Sequence, residues 1–197
     1  MMKIGKSIIH ALSALCHGET AYIIGKGPTR RNFDFESTKS NVRIFINDAG
    51  NLGFSEKGLY DFNSFIDIEA FERVRDWHKL NDISLPHTFG PTVPNAMECP
   101  SNLDGAEIFD FVYSRSYNYD GRFRPAVEVT TRSSEACLDI LGYAGFRKIV
   151  CFGINGGIEY DNEFKNLERI KPKESHDCQW KHLDRITAKH GIEVKYN

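Results

Sequence analysis

The chain has 197 residues, a formal net charge of −2, and 41% apolar and 12% aromatic residues. This length suits one α/β domain with a well-buried core and is short for two. The nearly balanced charge provides no general basic field of the kind that nucleic-acid binding uses. No apolar run approaches the ~20 residues that cross a bilayer. We therefore expect one globular domain over residues 1–197, without a membrane span.

The cysteines indicate a reducing compartment. There are five of them, with irregular spacing, which differs from the disulfide frameworks of secreted domains. Cys137 and Cys151 lie in apolar stretches and are expected to be buried as small hydrophobic residues. The start of the chain is weakly similar to a signal peptide, but its apolar run is short and broken by polar residues. We therefore expect a cytoplasmic protein.

The predicted elements alternate between helices and strands. In chain order they are a helix over 3–17, strands over 22–24, 42–46 and 64–68, a helix over 69–80, an irregular insertion over 84–107, a strand over 109–113, a polar loop over 114–124, a helix over 133–144, a strand over 149–152, a helix over 180–190 and a strand over 192–196. Strands that alternate with helices at short spacing favour a mostly parallel sheet with helices on both faces. The prediction is an α/β fold with a single Rossmann-like domain.

A glycine loop after the first predicted core strand is the most informative stretch. The apolar run 21–24 is followed by the residues Gly25, Lys26, Gly27, Pro28 and Thr29. Glycines permit the close approach of a ligand, and consecutive N–H groups of a loop can form an anion-binding concavity. Because open α/β sheets bind ligands beyond the carboxyl ends of their strands, we expect a nucleotide or another phosphorylated ligand here.

Two arginines, Arg30 and Arg31, follow the loop. Together with Lys26 they can neutralise a diphosphate, and each can equally be a solvated surface cation. The loop is not a Walker A sequence, nor is it GxGxxG, because Arg30 occupies the third glycine position. A plain strand-to-helix turn is therefore the alternative to a nucleotide loop.

Polar residues and glycines also follow other predicted strands, at Asn47, Asp67 and Gly153. In a parallel sheet these strand ends share one edge, so their loops can surround one site together with Gly25. Asn47 and Asp48 can bind a ribose hydroxyl or a base edge, or can form an Asx turn.

Two helix starts have both a binding and a capping interpretation. Asp67 and Glu69 can hold Mg²⁺ near phosphates, although a helix cap and a first-turn acid are preferred. Thr131, Arg132 and Ser133 lie at the start of the helix predicted over 133–144. Their hydroxyl and N–H groups at a positive helix end suit a carboxylate or phosphate, and ordinary capping is the alternative.

Two side chains with acid–base or hydrogen-bonding chemistry lie near the end of the chain. His176 sits in a polar stretch before the predicted last helix, and its ordinary pKa range suits a general base. Tyr160 follows the second glycine loop and can hydrogen-bond a leaving phosphate. A surface histidine and an amphipathic tyrosine in a short lid over 154–175 are the alternatives.

Taken together, these motifs resemble the bacterial sialyltransferases of glycosyltransferase family 42. The shared pattern is a strand into Gly-x-Gly-Pro-Ser/Thr, a second strand ending in Asn, a Thr/Ser-rich helix start, and a later strand ending in Gly-Ile-Asp/Asn. The same core is similar to the archaeal 6-hydroxymethylpterin diphosphokinases and to related proteins of lipopolysaccharide loci. The likeness covers about residues 19–50 and 128–197.

The resemblance implies a role for each matching position. The positions implicated in binding the nucleotide-sugar donor are Gly25, Gly27, Pro28, Thr29, Asn47, Thr131, Ser133 and Gly153. His176 is implied as the general base, and Tyr160 as the residue that steadies the leaving phosphate. Four features depart from the family pattern: Lys26 replaces an Asn, Asn155 replaces the usual Asp, Arg132 interrupts the Thr-Ser pattern, and the lid is short.

The leading hypothesis is a glycosyltransferase that moves a sugar from a nucleotide-sugar donor to an acceptor hydroxyl, without a metal cofactor. One alternative is a Mg²⁺-dependent diphosphokinase of the pterin type, with Asp48, Asp67 or Glu69 as metal ligands. The other alternative is a non-catalytic protein that binds a nucleotide or a nucleotide-derived signal. Exposed aromatic residues over 109–123 also suggest a homo-oligomer.

Overall fold

The computed structural model describes residues 6–51, 60–66, 68–83, 87–91, 108–114, 126–128, 133–154, 159–167 and 174–197. The strands are β1 Lys6–Ser7, β2 Thr20–Ile24, β3 Val42–Ile46, β4 Tyr60–Ser64, β5 His87–Pro91, β6 Ile108–Ser114, β7 Ala126–Glu128, β8 Lys148–Phe152 and β9 Glu193–Tyr196. The helices are α1 Ile8–Ser13, α2 Ile68–Leu80, α3 Ser133–Ala144 and α4 Glu174–His190. Short 3₁₀ turns cover Pro28–Asn32, Asn47–Asn51 and Asn162–Leu167.

The strands form a parallel sheet in the order β1-β6-β5-β4-β3-β2-β8-β9, and β7 pairs with β6. The predicted α/β fold with a single Rossmann-like domain is confirmed. From β2 the chain adds strands first towards β6 and later, through β8 and β9, in the opposite direction. The topological switch point therefore lies between β2 and β8, and at such a point an open α/β sheet forms its ligand crevice.

The register places the carboxyl ends of the central strands at one level. Ile24 of β2 lies opposite Phe45 of β3 on one side and Phe152 of β8 on the other. Ile46 of β3 in turn lies opposite Ser64 of β4. The loops that follow these four strands consequently leave the sheet from one edge, as the sequence predicts for the loops at Gly25, Asn47 and Gly153.

The alternation of side chains along the strands divides the core between the two faces of the sheet. On one face, residues such as Ile23, Ile44 and Ile149 join the main apolar core, which includes buried residues of α1, α3 and α4. On the other face a smaller cluster consists of Ile24, Phe33, Phe45 and Ala49, with Ile83 packed against it from the chain after α2. Helical segments thus cover both faces.

Cys137 and Cys151 belong to the main core, and their side chains are buried as predicted. Burial raises the pKa of the Cys137 thiol to about 12 and raises that of Cys151 as well, so both behave as small neutral hydrophobic residues. None of the helices in the described part of the chain is long and apolar enough to span a membrane.

A buried ion pair explains why the third strand differs from its prediction. β4 covers Tyr60–Ser64, not residues 64–68. A charged residue such as Asp61 is not expected in a buried strand. In β4, however, it lies opposite Arg43 of β3. The guanidinium of Arg43 donates to both carboxylate oxygens of Asp61, at 2.5 and 2.7 Å. Arg43 and Asp61 are both fully buried, and such burial is tolerated only when the charge is paired.

Other element boundaries were also predicted wrongly. The stretch predicted as irregular contains β5, which pairs with β4 and β6. α1 is shorter than the helix predicted over 3–17 and follows the short strand β1. The last helix begins at Glu174, six residues before the predicted start at Trp180. His176 therefore lies inside the first turn of α4 and not before it.

Candidate functional site

The two glycine loops at the switch point are joined to each other through their backbones. The amide of Gly25 donates to the carbonyl oxygen of Phe152 at 2.8 Å, and the amide of Gly27 donates to that of Gly153 at 3.0 Å. The amide of Gly153 donates in return to Oγ1 of Thr29 at 2.9 Å. The loops after β2 and β8 therefore form one unit on the edge of the sheet.

The glycines are required by this contact. A Cβ atom on Gly25 would lie 2.5 Å from the carbonyl oxygen of Gly153. A Cβ atom on Gly153, which has a φ of +66°, would lie 2.8 Å from both Gly25 O and Gly27 N. From the sequence, a ligand was expected to make the close approach at this loop. The structure assigns it to a second backbone segment, because the amides of Gly25 and Gly27 point at the β8 loop.

A cluster of charges lies where the loops after β2 and β3 meet. Asp48, in the 3₁₀ turn after β3, is 1% exposed. Its Oδ2 accepts a hydrogen bond from Nζ of Lys26 at 3.1 Å. Arg73 of α2 donates to both carboxylate oxygens, from Nε at 2.7 Å and from Nη2 at 3.1 Å. On another side, Nζ of Lys26 lies 4.7 Å from the ring centroid of Tyr160, a cation–π distance.

The two cations keep Asp48 ionised. Burial by itself would raise the pKa of this carboxyl group, but the hydrogen bonds and charges of Arg73 and Lys26 outweigh it and hold the pKa below its ordinary value. Asp48 was a candidate Mg²⁺ ligand in the diphosphokinase alternative. In the structure it is engaged by side-chain cations, and the described residues contain no group of three or more His, Cys, Asp or Glu side chains arranged to hold a metal ion.

The two arginines after the glycine loop also have carboxylate partners. Arg30 donates to Glu163 at 2.9 Å, and its guanidinium lies over the ring of Phe164 at 5.5 Å. Arg31 forms a bidentate pair with Asp161, with both N···O distances at 2.9 Å. Hydrogen bonding to Arg31 holds the pKa of Asp161 below its ordinary value.

These contacts fasten part of the predicted lid to the first glycine loop. Residues 159–167 carry Asp161, whose amide also donates to the carbonyl oxygen of Lys26 at 2.7 Å. Asp161 is buried, as is Phe164. Residues 159–167 therefore lie beside Lys26 and the first glycine loop.

Three buried amide oxygens at the ends of β3 and β4 form the candidate polar pocket. Among the described residues, Oδ1 of Asn47, Asn51 and Asn63 is buried without a hydrogen-bond donor. The three residues are neighbours. Nδ2 of Asn63 donates to the carbonyl oxygen of Asn47 at 3.0 Å, and Asn47 and Asn51 are the first and last residues of one 3₁₀ turn. A buried acceptor left unpaired costs ~1–3 kcal/mol. A ligand that supplies N–H or O–H groups would relieve this cost.

The backbone of Asn47 supports a special role for this position. Its φ is +51°, which is the left-handed region that asparagine tolerates better than most residues. This conformation turns the chain from β3 into the 3₁₀ turn that carries Asp48. Asn47 and Asp48 therefore contribute to one site through different groups, an amide oxygen and a carboxylate.

The remaining candidates are placed only in part. Ser133 begins α3 and is half-buried, and the neighbouring Ser134 and Glu135 are buried. Pro28 occupies the first position of a 3₁₀ turn. Glu69 lies exposed in the first turn of α2. Thr131, Arg132, Asn155 and Asp67 lie outside the described residues, as does the side chain of His176.

Arg73, Asn63 and Asp161 belong to the site but were absent from the sequence-based candidates. A correct placement of β4 would have identified Asn63, since it then falls near a strand end beside Asn47. No local signal links Arg73 to Asp48, because the two are brought together by the packing of α2 on the Asn47–Asn51 turn. Asp161 was hidden for the same reason, since it is paired with a residue 130 positions away.

Comparison with known proteins gives a likeness in fold. No protein-family model matches the chain, and no curated protein sequence matches it. Among solved structures, the chain is similar to the MAf glycosyltransferase from Magnetospirillum magneticum AMB-1, with a TM-score of 0.64 and 13% sequence identity over 91% of this chain. The chain spans 33% of the length of that protein. The TM-score shows that the two proteins share an α/β fold.

Proposed function

We propose that the protein is a glycosyltransferase that transfers a sugar from a nucleotide-sugar donor to an acceptor hydroxyl. The observation that carries this proposal is that hydrogen-bond acceptors without donors and a cation lie side by side at the carboxyl edge of the sheet. The unpaired oxygens of Asn47, Asn51 and Asn63 require hydrogen-bond donors, and the adjacent ammonium of Lys26, which donates to Asp48, has further N–H groups to offer a second anion. A nucleotide offers both, because its base and ribose donate hydrogen bonds and its phosphate accepts them.

The position of the pocket and the fold add support. The candidate pocket lies at the ends of β3 and β4, on the same edge of the sheet as the switch point between β2 and β8, and open α/β sheets bind nucleotides at this edge. The fold is shared with a protein described as a glycosyltransferase. The motifs that resemble glycosyltransferase family 42 fall on this same edge, at Gly25, Asn47 and Gly153.

The reaction assigns distinct tasks to two residues. His176 removes the proton from the acceptor hydroxyl, whose oxygen then attacks the anomeric carbon of the donor sugar. The bond between that carbon and the phosphate oxygen breaks, and the nucleotide leaves with the bonding electrons. Tyr160 beside Lys26 stabilises the developing phosphate charge. Thr131, Ser133 and Asn155 complete the donor site in this proposal.

Two other functions make different demands. A pterin-type diphosphokinase needs carboxylates to hold Mg²⁺, and the engagement of Asp48 by Lys26 and Arg73 gives that alternative no support. A non-catalytic nucleotide binder needs the pocket but not His176. Metal dependence and the effect of replacing His176 therefore separate the three.

The test begins with thermal-shift measurements against CMP-, UDP-, GDP- and ADP-sugars and ATP, with and without Mg²⁺. Stabilisation by none of them would overturn the proposal. A donor that binds is then used in a transfer assay with and without EDTA, and a transfer abolished by EDTA would count against the metal-free mechanism proposed. His176→Ala should lower transfer by ~10²–10⁴-fold with donor affinity retained. His182→Ala, on the same helix, serves as the matched control.

A further inference from the structure

The structure divides the cations near the glycine loop into two groups, and only one is suited to a ligand. We propose that the phosphate of the nucleotide binds to Lys26 and Arg73, which share the carboxylate of Asp48, and not to the pair Arg30 and Arg31. The inference rests on the proposed function for the identity of the nucleotide. Arg73 becomes a binding residue, and Asp48 becomes a positioning residue that acts through the two cations.

The geometry allows one phosphate to contact both cations. Nζ of Lys26 and Nη2 of Arg73 each lie 3.1 Å from the same oxygen of Asp48. Because they share that oxygen, the two nitrogens are near neighbours. A phosphate presents several acceptor oxygens and can take charge-assisted hydrogen bonds from an ammonium and a guanidinium at once.

Exposure determines which charge an incoming anion meets. The side chain of Asp48 is 1% exposed, whereas those of Lys26 and Arg73 are 13% and 39% exposed. The carboxylate is thus screened behind the cations that it orients. Tyr160 lies against the ammonium of Lys26 and limits its range of positions, so the ammonium is held at the wall of the crevice.

Lys26 differs from Arg31 in that its carboxylate partner, Asp48, has a second cationic partner. Asp48 has two cationic partners, so either one can turn to a ligand while the other continues to compensate the buried carboxylate. Asp161 is also buried, and Arg31 donates to both of its carboxylate oxygens as a bidentate pair. Withdrawing Arg31 would break both hydrogen bonds to a buried carboxylate, which is strongly unfavourable, whereas Asp48 keeps its bidentate pair with Arg73 when Lys26 turns away. Arg31 is therefore committed to the protein, and Lys26 is available to the ligand.

The position of the pocket agrees with this division. Asn47 directly precedes Asp48 in the chain. Its side-chain amide oxygen needs an N–H or O–H donor, which an ionised phosphate does not offer but a base or a ribose does. A nucleotide lying along the carboxyl ends of β3 and β2 would place its base or ribose at Asn47 and Asn63. Its phosphate would then reach Lys26.

The experiment compares nucleotides with their nucleosides on the full chain by isothermal titration calorimetry. The ligands are CMP, UMP, UDP and GDP, the matching nucleosides, and pyrophosphate. The variants are Lys26→Gln, Arg73→Gln and the double replacement, with Arg31→Gln as the control that removes a neighbouring cation whose side chain is more exposed, at 54% against 13% for Lys26. We expect Lys26→Gln to weaken nucleotide binding by ~10-fold or more and to leave nucleoside binding unchanged.

The double replacement should remove the difference in affinity between nucleotide and nucleoside, together with most of its salt dependence. Arg31→Gln should change nucleotide affinity by less than ~2-fold while lowering the urea midpoint of unfolding. Lys26→Arg, which keeps the charge, should recover most of the affinity. An equal loss for Arg31→Gln and Lys26→Gln would overturn the inference, as would equal binding of nucleotide and nucleoside by the wild type.

The probes also separate the inference from the proposed function. Binding of pyrophosphate that depends on Lys26, without binding of any nucleotide, would support a phosphate site at Lys26 and Arg73 and overturn the nucleotide-sugar proposal. Nucleotide binding that is insensitive to Lys26 and Arg73 would keep the proposed function and overturn the inference. Absence of binding by all the ligands, with far-UV circular dichroism showing a folded chain, would overturn both.

Discussion

The amide of Gly27 donates a hydrogen bond to the carbonyl oxygen of Gly153 over 3.0 Å and thereby joins the loops that follow β2 and β8. The two strands lie on either side of the point where the sheet reverses its strand order. The two loops therefore meet through their backbones at the position where open α/β sheets bind ligands. Lys26 lies in the first of these loops, and the ring of Tyr160 lies beside its ammonium.

Replacement of Gly153 by alanine should destabilise the protein more than the same replacement at Gly191. Gly153 has a φ of +66° and contacts Gly25 and Gly27, whereas Gly191 has a φ of +61° with nothing within 4 Å of the added Cβ. Gly191→Ala carries only backbone strain of ~1–2 kcal/mol. Gly153→Ala adds overpacking of ~1–3 kcal/mol. Urea unfolding measures both, and equal losses would contradict the backbone contact between the loops.

The buried pair Arg43–Asp61 should be intolerant of single replacements. Asp61→Ala leaves the guanidinium of Arg43 without its carboxylate and should lower the free energy of unfolding by ~3–5 kcal/mol. Replacing both residues by apolar residues of similar volume should cost less than Asp61→Ala alone. Lys39→Ala breaks an exposed ion pair with Glu36 and, as the control, should change stability by ~1 kcal/mol or less.

Acid should weaken the fold partly through Asp48. The pKa of this carboxyl group is lower in the folded chain than in the unfolded chain, where its ordinary value is ~3.9. Its stabilising contribution is therefore fully present above that value and is lost as the pH falls through the folded pKa. Asp48→Asn should lower stability at pH 7 and should flatten the fall in the free energy of unfolding below about pH 4. An unchanged slope would show that Asp48 does not contribute to the acid sensitivity.

Tyr160 should have separable roles in its ring and its hydroxyl group. Tyr160→Phe retains the ring beside Lys26, so donor affinity should stay within ~2-fold of the wild type. Transfer should nevertheless fall by ~10²-fold if the hydroxyl stabilises the leaving phosphate. Tyr160→Leu should lose donor affinity as well. Steady-state kinetics of the two variants check this, and an unaltered kcat for Tyr160→Phe would exclude the proposed role of the hydroxyl.

Local patterns predicted the parts of the fold in which neighbouring residues decide the structure. β3 at Val42–Ile46 and α3 at Ser133–Ala144 were predicted with the observed bounds, because an apolar strand and an apolar helix each carry their own periodicity. β4 was misplaced because the charge of Asp61 is tolerated only through its partner on another strand. The start of α4 was missed because its first turn is polar.

The sequence by itself determined the α/β class and the edge of the sheet at which the candidate loops meet, since alternating strands and helices place their connecting loops at a common edge. Only the tertiary structure decided what each residue at that edge contacts. It paired Arg31 with Asp161 and placed Lys26 and Arg73 together on Asp48. Electrostatic pairing depends on distance in space, and packing brings together residues whose separation along the chain carries no signal. Both arginines next to the glycine loop are therefore paired with carboxylates of the protein, and for this reason the phosphate is proposed to bind at Lys26 and Arg73 instead.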